Sequence, residues 1–275
     1  MSAMWIDAHQ HNWRLDLFRY PWIKPGAAFH RDYLPEDGKA LMDAAGVNTC
    51  VLVEADAGDP PGEIDWLLGL AARHPHIAGV VGRADLLSPG DEAALARAAP
   101  NPHFKGVRTW TPPHTDWDAL ADRMRLLADL GLSCDLLLNA ETLPHAARLI
   151  ARNPGVTYVI DHFANPKMRA GGADMWAEMM KPLAALPNTV MKVSGYLTAA
   201  AETPLTLDVL RPYFEAALAL FGADRLLYGS DWPVCTRDGG AYADTVALLR
   251  ALVAPLSPAE QAAIANGTAT RVYRL

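Results

Sequence analysis

Eight short apolar runs rich in β-forming residues recur along the chain, and longer stretches with helical periodicity separate them. This alternation predicts parallel strands joined by crossover helices, which is the α/β class. Eight β/α units in 275 residues favour one closed (β/α)8 TIM barrel domain over residues 1–275. An open doubly wound nucleotide fold is disfavoured, because neither GxGxxG nor a P-loop follows the first run. The runs are residues 4–11, 48–55, 77–86, 104–110, 133–139, 157–163, 189–195 and 226–232.

Helices and a long first loop complete the predicted barrel. Several of the stretches between the runs end at Gly or Pro, which helix ends prefer. Ser257, Pro258 and Glu260 occupy the positions of a capping box, so a final helix is predicted within residues 257–275. Residues 12–33, rich in Trp, Arg, Phe and Pro, are predicted to form an ordered loop over the barrel mouth. The main helix candidates are residues 63–74, 116–130, 140–152, 205–221 and 241–253.

The charge and the cysteine content exclude several classes of partner and site. The formal net charge is -7 and Lys and Arg are scattered, so neither nucleic acid nor an anionic membrane is expected as a partner. The three cysteines lie far apart and provide neither a disulfide framework nor a CxxC metal site. Without a membrane-length apolar run or a signal segment, we expect a cytoplasmic protein. Its expected partner is a small-molecule substrate, and homo-oligomer formation is left open.

The first run ends in a His-x-His motif. In Trp-Ile-Asp-Ala-His-Gln-His, alternation along a strand places Asp7, His9 and His11 on one face and Ile6 and Ala8 on the other. Two imidazoles at the carboxyl end of a strand are typical of a functional site, because barrel enzymes place their chemistry there. A pair of hydrogen-bonded structural histidines is the alternative.

Two later motifs place further polar residues at strand ends. His162 ends the sixth run in Val-Ile-Asp-His-Phe-Ala-Asn-Pro as a candidate ligand, base or donor, and Asp161 is expected to face the other way. Asp231 ends the eighth run in Leu-Leu-Tyr-Gly-Ser-Asp-Trp-Pro. Because the last strand of a closed barrel lies beside the first, Asp231 is predicted to face the His-x-His pair. A role as an N-cap or ordinary loop carboxylate is the alternative.

Six short motifs together resemble those of a known family. They are Asp-Ala-His-Gln-His-Asn-Trp at 7–13, Tyr-Pro-Trp-Ile at 20–23, Lys-Gly-Val-Arg at 105–108, Asp-His-Phe at 161–163, Met-Lys-Val-Ser-Gly at 191–195 and Gly-Ser-Asp-Trp-Pro at 229–233. The pattern resembles the amidohydrolase superfamily and, within it, the amidohydrolase-2 branch of lactonases. That branch includes L-fuconolactonase and L-rhamnonolactonase types and 2-pyrone-4,6-dicarboxylate lactonase. The resemblance covers nearly the whole chain and implies hydrolysis of a cyclic ester.

The pattern departs from that of superfamily members with two metal ions. Lys105 lies early in the fourth run with parity opposite to that of Arg108, so it is poorly placed to be a bridging carbamylated lysine. The fifth run also has no histidine. His9, His11 and Asp231 have the ligand types for a single ion such as zinc. Because lactonases of the resembling group can work without a divalent metal, we expect catalysis that requires none, with one divalent ion as the alternative.

Hydrolysis of a lactone needs a base for water, charge stabilisation at the carbonyl oxygen and a proton for the leaving alkoxide. Asp231 is the predicted base, which takes the water proton and returns it to the ring oxygen. His9, His11, His162 and Arg108 are the predicted donors to the developing oxyanion. The predicted substrate-binding residues are Trp13, His30, Glu54, Arg83, Trp110, Lys192, Tyr196 and Trp232.

A sugar-acid lactone such as L-fuconolactone is the favoured substrate, and other functions remain open. Arg14, Arg83 and Arg108 could bind a dicarboxylate, but they are mixed with acids and aromatics that suit a neutral polyol. A metal-dependent decarboxylase or amide hydrolase could use the same barrel. A non-catalytic ligand-binding barrel would keep the aromatic pocket but would not need a carboxylate facing three histidines.

Overall fold

The predicted barrel is confirmed by a computed structural model, which describes residues 4–109, 111, 114–196, 206–237 and 239–275. Eight parallel strands form one sheet in sequence order. Each strand is shorter than its predicted run. The strands are β1 (Ile6–Gln10), β2 (Thr49–Val53), β3 (Ile77–Arg83), β4 (Phe104–Thr109), β5 (Ser133–Leu136), β6 (Tyr158–Ile160), β7 (Thr189–Val193) and β8 (Leu226–Tyr228).

Main-chain hydrogen bonds join the segments at the ends of β1 and β8 and close the barrel at its carboxyl end. The Asp231 N–H donates to the His9 carbonyl at 2.9 Å, and the His11 N–H donates to the Trp232 carbonyl at 2.7 Å. Both bonds lie beyond the last residue of β8, at the level where the polar side chains begin. Closure therefore brings the first and last motifs of the chain together.

Helices surround the sheet, and each predicted helical stretch overlaps at least one. The stretch 116–130 divides into two helices at Met124, and Ser257 caps the predicted final segment by accepting from the Glu260 N–H at 3.3 Å. Within the described ranges, no helix combines the length and apolarity needed to cross a membrane. The helices described are α1 (Pro35–Ala45), α2 (Pro60–Arg73), α3 (Pro89–Ala98), α4 (Trp117–Arg123), α5 (Arg125–Asp129), α6 (Leu143–Arg152), α7 (Ala173–Ala184), α8 (Leu207–Phe221), α9 (Tyr242–Val253), α10 (Pro258–Ala262) and α11 (Thr268–Tyr273).

Two apolar layers hold the barrel together. The larger one lies between the strands and the surrounding helices. The smaller one fills the barrel interior and is closed at the amino-terminal end by α11. Branched side chains dominate it, as expected for the inward positions of a barrel. Its members are Ile6, Ala8, Val51, Val53, Val81, Val159, Val190, Leu227, Ala269, Val272 and Tyr273. The polar residues of the site lie above this floor.

The predicted ordered loop between β1 and α1 is confirmed, and an aromatic cluster holds it in place. Trp13 and Tyr33 pair as an antiparallel bridge at the two ends of the loop, and their rings lie 4.7 Å apart. Trp22 packs edge-on against Trp13 at 5.3 Å and donates its indole N–H to the Ala55 carbonyl. The loop therefore forms one wall of the barrel mouth.

Candidate active site

Three imidazoles surround the Asp231 carboxylate at the barrel mouth. Asp231 Oδ1 lies 3.4 Å from His11 Nε2, 3.7 Å from His9 Nε2 and 3.9 Å from His162 Nε2. All four side chains are buried. The structure thus brings together four of the residues predicted to be catalytic, although they come from the two ends of the chain and from its middle.

A β-bulge in β1 sets the direction of the His-x-His pair. Between Asp7 and Gln10, β1 advances by three residues while the paired part of β2 advances by two. The extra residue reverses the alternation of side chains between the two faces of the strand. The prediction that Asp7 shares a face with His9 is therefore wrong. Asp7 points to the helix side, where it accepts from the Gln10 amide at 2.8 Å and from the Ser230 N–H at 2.8 Å. Ala8, expected on the opposite face, lies inside the barrel as well.

A left-handed turn after β6 sets the direction of His162. The turn spans Asp161–Ala164, and His162 has a φ of 54°, which non-glycine residues rarely adopt. The expectation that Asp161 faces away from the site is wrong, because the regular alternation ends with the strand at Ile160. The Asp161 carboxylate lies inside the barrel beneath His162, 3.6 Å from His9 Nδ1.

A fully buried chain of charged residues runs beneath the imidazoles. Lys192 Nζ donates to Asp135 Oδ2 at 2.5 Å and lies 3.0 Å from Asp161 Oδ1. Tyr273 of α11 donates to the same Asp135 carboxylate at 2.9 Å. Burial alone would lower the pKa of Lys192, but Asp135 and Asp161 raise it above its usual value. Burial raises the pKa of Asp161, yet the Lys192 ammonium outweighs this and holds it well below the usual range. Lys192 is therefore an ammonium and Asp161 a carboxylate.

The hydrogen bonds fix where the protons of the His-x-His pair lie. Lys192 Nζ is 3.0 Å from His9 Nδ1, and an ammonium can only donate. His11 Nδ1 is 3.0 Å from the Val53 carbonyl, which can only accept. The remaining contact, His9 Nε2 to His11 Nε2 at 3.1 Å, needs one donor and one acceptor. In neutral rings the proton therefore sits on His9 Nε2 and the lone pair on His11 Nε2, an arrangement in which His11 accepts where the sequence predicted a donor.

Neutral rings at His9 and His162 agree with the electrostatics of the site. Burial lowers the pKa of His9, and the Lys192 charge lowers it further, to well below its usual value. Burial also lowers the pKa of His162, more than Asp231 and Asp161 raise it. The His162 Nδ1 is 2.8 Å from the Ser194 hydroxyl, which holds the ring in place.

Two arginine–carboxylate pairs lie beside the imidazoles. Arg108 binds the Glu54 side chain through Nε and donates from Nη2 to the Glu54 carbonyl at 2.9 Å. Burial would lower the pKa of Arg108, but Glu54 and Asp161 raise it, so the guanidinium stays charged. Arg83 donates from Nη1 to the Asp56 carboxylate. Lys105, in contrast, lies at the start of β4 and donates to the Arg274 carbonyl, away from the site.

Several of these residues line one cleft. A cavity of about 240 Å³ reaches His11, Arg108, His162 and Asp231. A second cavity of about 260 Å³ continues from it along Glu54. The lining residues that the two cavities share are Trp22, Asp56, Arg108 and Leu137. A cleft of this size beside convergent polar groups is suited to a small molecule.

The other predicted substrate-binding residues do not line these two cavities. Trp13, Tyr196 and Trp232 are buried in the walls, and the Tyr196 hydroxyl donates to the Thr245 carbonyl. Lys192 lies below the imidazoles with no exposure. His30 is exposed on the first loop. Trp110 lies outside the described residues.

Several residues at the cleft were not singled out by the sequence. Asp56, Asn165 and Arg237 line it and follow β2, β6 and β8 closely, so the position of polar residues after strand ends could have found them. The buried carboxylate Asp135 had a different signal. It is a charged residue in the middle of an apolar run, which in a strand buried on both faces needs a partner.

Three buried residues of the site have the spacing of a single metal site. One ligand atom each from His9, His162 and Asp231 lie within 4.8 Å of one another, and these residue types bind zinc. The proton positions do not fit, because His9 Nε2 carries a hydrogen while Lys192 occupies Nδ1.

Comparison with known proteins agrees with the fold. The Amidohydrolase family profile matches residues 6–275. The chain is 36% identical to an L-fucono-1,5-lactonase of Burkholderia ambifaria, over 98% of this chain and 95% of that protein. It is 35% identical to an L-fucono-1,5-lactonase of Burkholderia multivorans, over 100% and 97% of the two chains. A crystal structure of an amidohydrolase from Burkholderia multivorans with bound zinc superposes with a TM-score of 0.87, at 32% identity over 99% of this chain and 100% of that one.

Proposed function

This chain belongs to the Amidohydrolase family, and from that premise we propose that it is a lactonase that hydrolyses the cyclic ester of a sugar acid. It is a carboxylic ester hydrolase, like the two L-fucono-1,5-lactonases that it is similar to. The observation that carries the proposal is the Asp231 carboxylate facing three imidazoles in a cleft. That set supplies the base and the donors that lactone opening needs.

The charges of the cleft support a neutral substrate. A dicarboxylate would require arginines that are free to bind its carboxylates in pairs. Arg83 is paired with Asp56, and Arg108 with Glu54. The mixture of carboxylates and guanidinium groups suits the hydroxyls of a sugar ring, which both donate and accept. We therefore propose L-fucono-1,5-lactone and related aldonolactones as substrates.

The proposed nucleophile is a water molecule held by His11 and Asp231. His11 Nε2 and Asp231 Oδ1 are both acceptors and lie 3.4 Å apart, so one water can donate an O–H to each. The His11 lone pair becomes available when the His9 Nε2–H leaves it and turns to the carbonyl oxygen of the substrate. The water oxygen then bonds to the carbonyl carbon while Asp231 takes the proton.

The same groups complete the reaction. His9 Nε2–H and the charged Arg108 stabilise the oxyanion of the tetrahedral intermediate, with His162 as a further donor. The bond from the carbonyl carbon to the ring oxygen breaks, and Asp231 returns its proton to that oxygen. The product is the open-chain hydroxy acid. Loss of one oxyanion donor would reduce the rate by about 10²-fold.

Trp22, Asp56, Glu54 and Arg83 contact the sugar ring, because they line the continuous cleft. Residues 1–275 form one domain of the amidohydrolase type, and the protein acts in the cytoplasm on a small-molecule substrate. A divalent ion is not required.

The proposal is tested by hydrolysis of a panel of aldonolactones and 2-pyrone-4,6-dicarboxylate, followed by release of acid. We expect hydrolysis of a sugar lactone, and a fall in kcat of about 10²-fold or more for Asp231→Asn, which removes the base. Asp85→Asn is the matched control, because Asp85 also follows a strand but is exposed outside the two cavities. Its kcat should match that of the wild type.

Three other results would each reject part of the proposal. Near-wild-type turnover by Asp231→Asn would reject Asp231 as the base. Activity that disappears on chelation and returns with zinc would reject the metal-free mechanism. Absence of hydrolysis of every lactone would reject the lactonase function and favour assays of decarboxylation and amide hydrolysis.

A further inference from the structure

We infer that Lys192 is a positioning residue that holds His9 as an Nε2–H donor and keeps it from acting as a metal ligand. The donor role rests on the proposed function, whereas the effect on metal binding does not. Lys192 lines neither of the two cavities of the cleft and is fully buried, so it acts through the residues around it. Lys192 is the fourth of the five residues of β7, which β8 separates from β1, and its ammonium lies 3.0 Å from His9 Nδ1.

The contacts of Lys192 leave one position for the ring proton of a neutral His9. The ammonium has three hydrogens and no lone pair, and it lies 2.5 Å from Asp135, 3.0 Å from Asp161 and 3.0 Å from His9 Nδ1. An imidazole nitrogen that accepts from an ammonium has no proton of its own. In the neutral ring the proton is then on Nε2, which is the nitrogen that faces Asp231 at 3.7 Å.

The same geometry contains the alternative arrangement. Histidines that bind metals usually donate their other N–H to a carboxylate or carbonyl, which directs a lone pair to the ion. Asp161 Oδ1 lies 3.6 Å from His9 Nδ1, too far for a hydrogen bond but close enough to form one after a small shift. Without Lys192, the His9 proton can move to Nδ1 and point at Asp161. His9 Nε2 would then complete a set of three ligands with His162 and Asp231.

Zinc titration calorimetry on the intact protein tests this inference. We expect Lys192→Met to bind zinc about tenfold or more tightly than the wild type, since outer partners of a ligating histidine change metal affinity by that order. The added change His9→Gln should abolish the gain. In parallel, nitrogen NMR of ¹⁵N-histidine-labelled wild type should give the Nε2–H tautomer for His9, assigned by its loss in His9→Gln, and Lys192→Met should give the Nδ1–H tautomer.

A second variant guards against misfolding, because Lys192→Met leaves two buried carboxylates without their cation. The pair Lys192→Met with Asp135→Asn removes one charge of each sign and should give the same gain in zinc affinity. Equal zinc affinity in the wild type and both variants would overturn the inference, and so would an Nδ1–H tautomer for His9 in the wild type. If neither variant folds, the wild-type tautomer alone decides. These measurements need no lactone, so they remain decisive even if no sugar lactone is hydrolysed.

Discussion

Two residues of the site, His162 and Asp231, have φ angles of 54° and 61°. A left-handed conformation costs a non-glycine residue about 1–2 kcal/mol, so the surrounding structure must hold it. The Trp176 indole donates to the Phe163 carbonyl at 2.8 Å, and the Asn165 amide donates to the Leu138 carbonyl at 2.9 Å. These bonds tie down the turn that carries His162. Strained backbone is concentrated at functional sites because it directs side chains that regular strands cannot.

Glu63 is a buried acid that makes stability depend on pH. Its side chain is fully buried and accepts from the Ala55 N–H at 2.9 Å. Burial, together with the charge of Glu54, raises its pKa from 4.5 to about 8. The folded state therefore keeps a proton that the unfolded state loses. The contribution of protonated Glu63 to the free energy of unfolding is complete below pH 4.5 and is lost as the pH rises towards about 8.

We expect Glu63→Gln to remove this dependence. Relative to the variant, the wild type should lose up to about 1.4 kcal/mol of unfolding free energy per pH unit across that window. Urea unfolding at a series of pH values measures it. Glu215→Gln, an exposed glutamate on α8, is the control and should run parallel to the wild type. A constant difference between Glu63→Gln and the wild type at all pH values would contradict the prediction.

At the scale of elements, the sequence allowed the barrel to be predicted but not the local geometry of its strand ends. Eight apolar runs are a strong signal, because each strand needs apolar side chains both towards the barrel interior and towards the surrounding helices. The bulge that turns Asp7 outward adds only one residue to β1, and no residue type marks it. The left-handed turn at His162 contains no glycine that would have indicated it in the sequence. Convergence of His9, His11 and Asp231 was predictable, since it follows from closure of the barrel and not from local geometry.

The segment after β7 supports His162 through a glycine. Gly195 has a φ of 65°, and a Cβ there would lie 2.5 Å from the His162 ring and 2.6 Å from its Cβ. Gly195→Ala must therefore displace His162. We expect kcat/KM for the best lactone to fall by at least about tenfold, as even small misplacement of a catalytic group is costly.

The matched control separates this displacement from backbone strain. Gly171 has a φ of 73° and nothing within 4 Å of the position of a Cβ. Gly171→Ala carries a similar conformational cost of about 1 kcal/mol but should leave kcat/KM unchanged. Thermal melts should fall in both variants. Equal kcat/KM in Gly195→Ala and the wild type would mean that His162 needs no fixed position.

At the scale of the whole molecule, the site depends on two closures of the barrel. At the floor, α11 brings Tyr273 to Asp135 and so connects the end of the chain to the charged residues beneath the imidazoles. At the side, β1 meets the segment after β8 through few main-chain bonds. Asp7 supplements them, because its Oδ1 accepts from the N–H groups of both Ser230 and His9. An outward-facing carboxylate thus joins the first and last strands.

This arrangement predicts that Asp7 controls both stability and catalysis. Asp7→Ala leaves the Ser230 N–H without its acceptor at the closure, and each buried unsatisfied group costs about 1–3 kcal/mol. We expect a fall of about 2–4 kcal/mol in the urea unfolding free energy. The kcat/KM should fall as well, since His9 and Asp231 flank the closure. Asp7→Asn keeps one acceptor oxygen. Its losses of unfolding free energy and of kcat/KM should each be less than half of those in Asp7→Ala. If the two variants behaved alike in both measurements, the hydrogen bonds of Asp7 would not be what holds the first and last strands together.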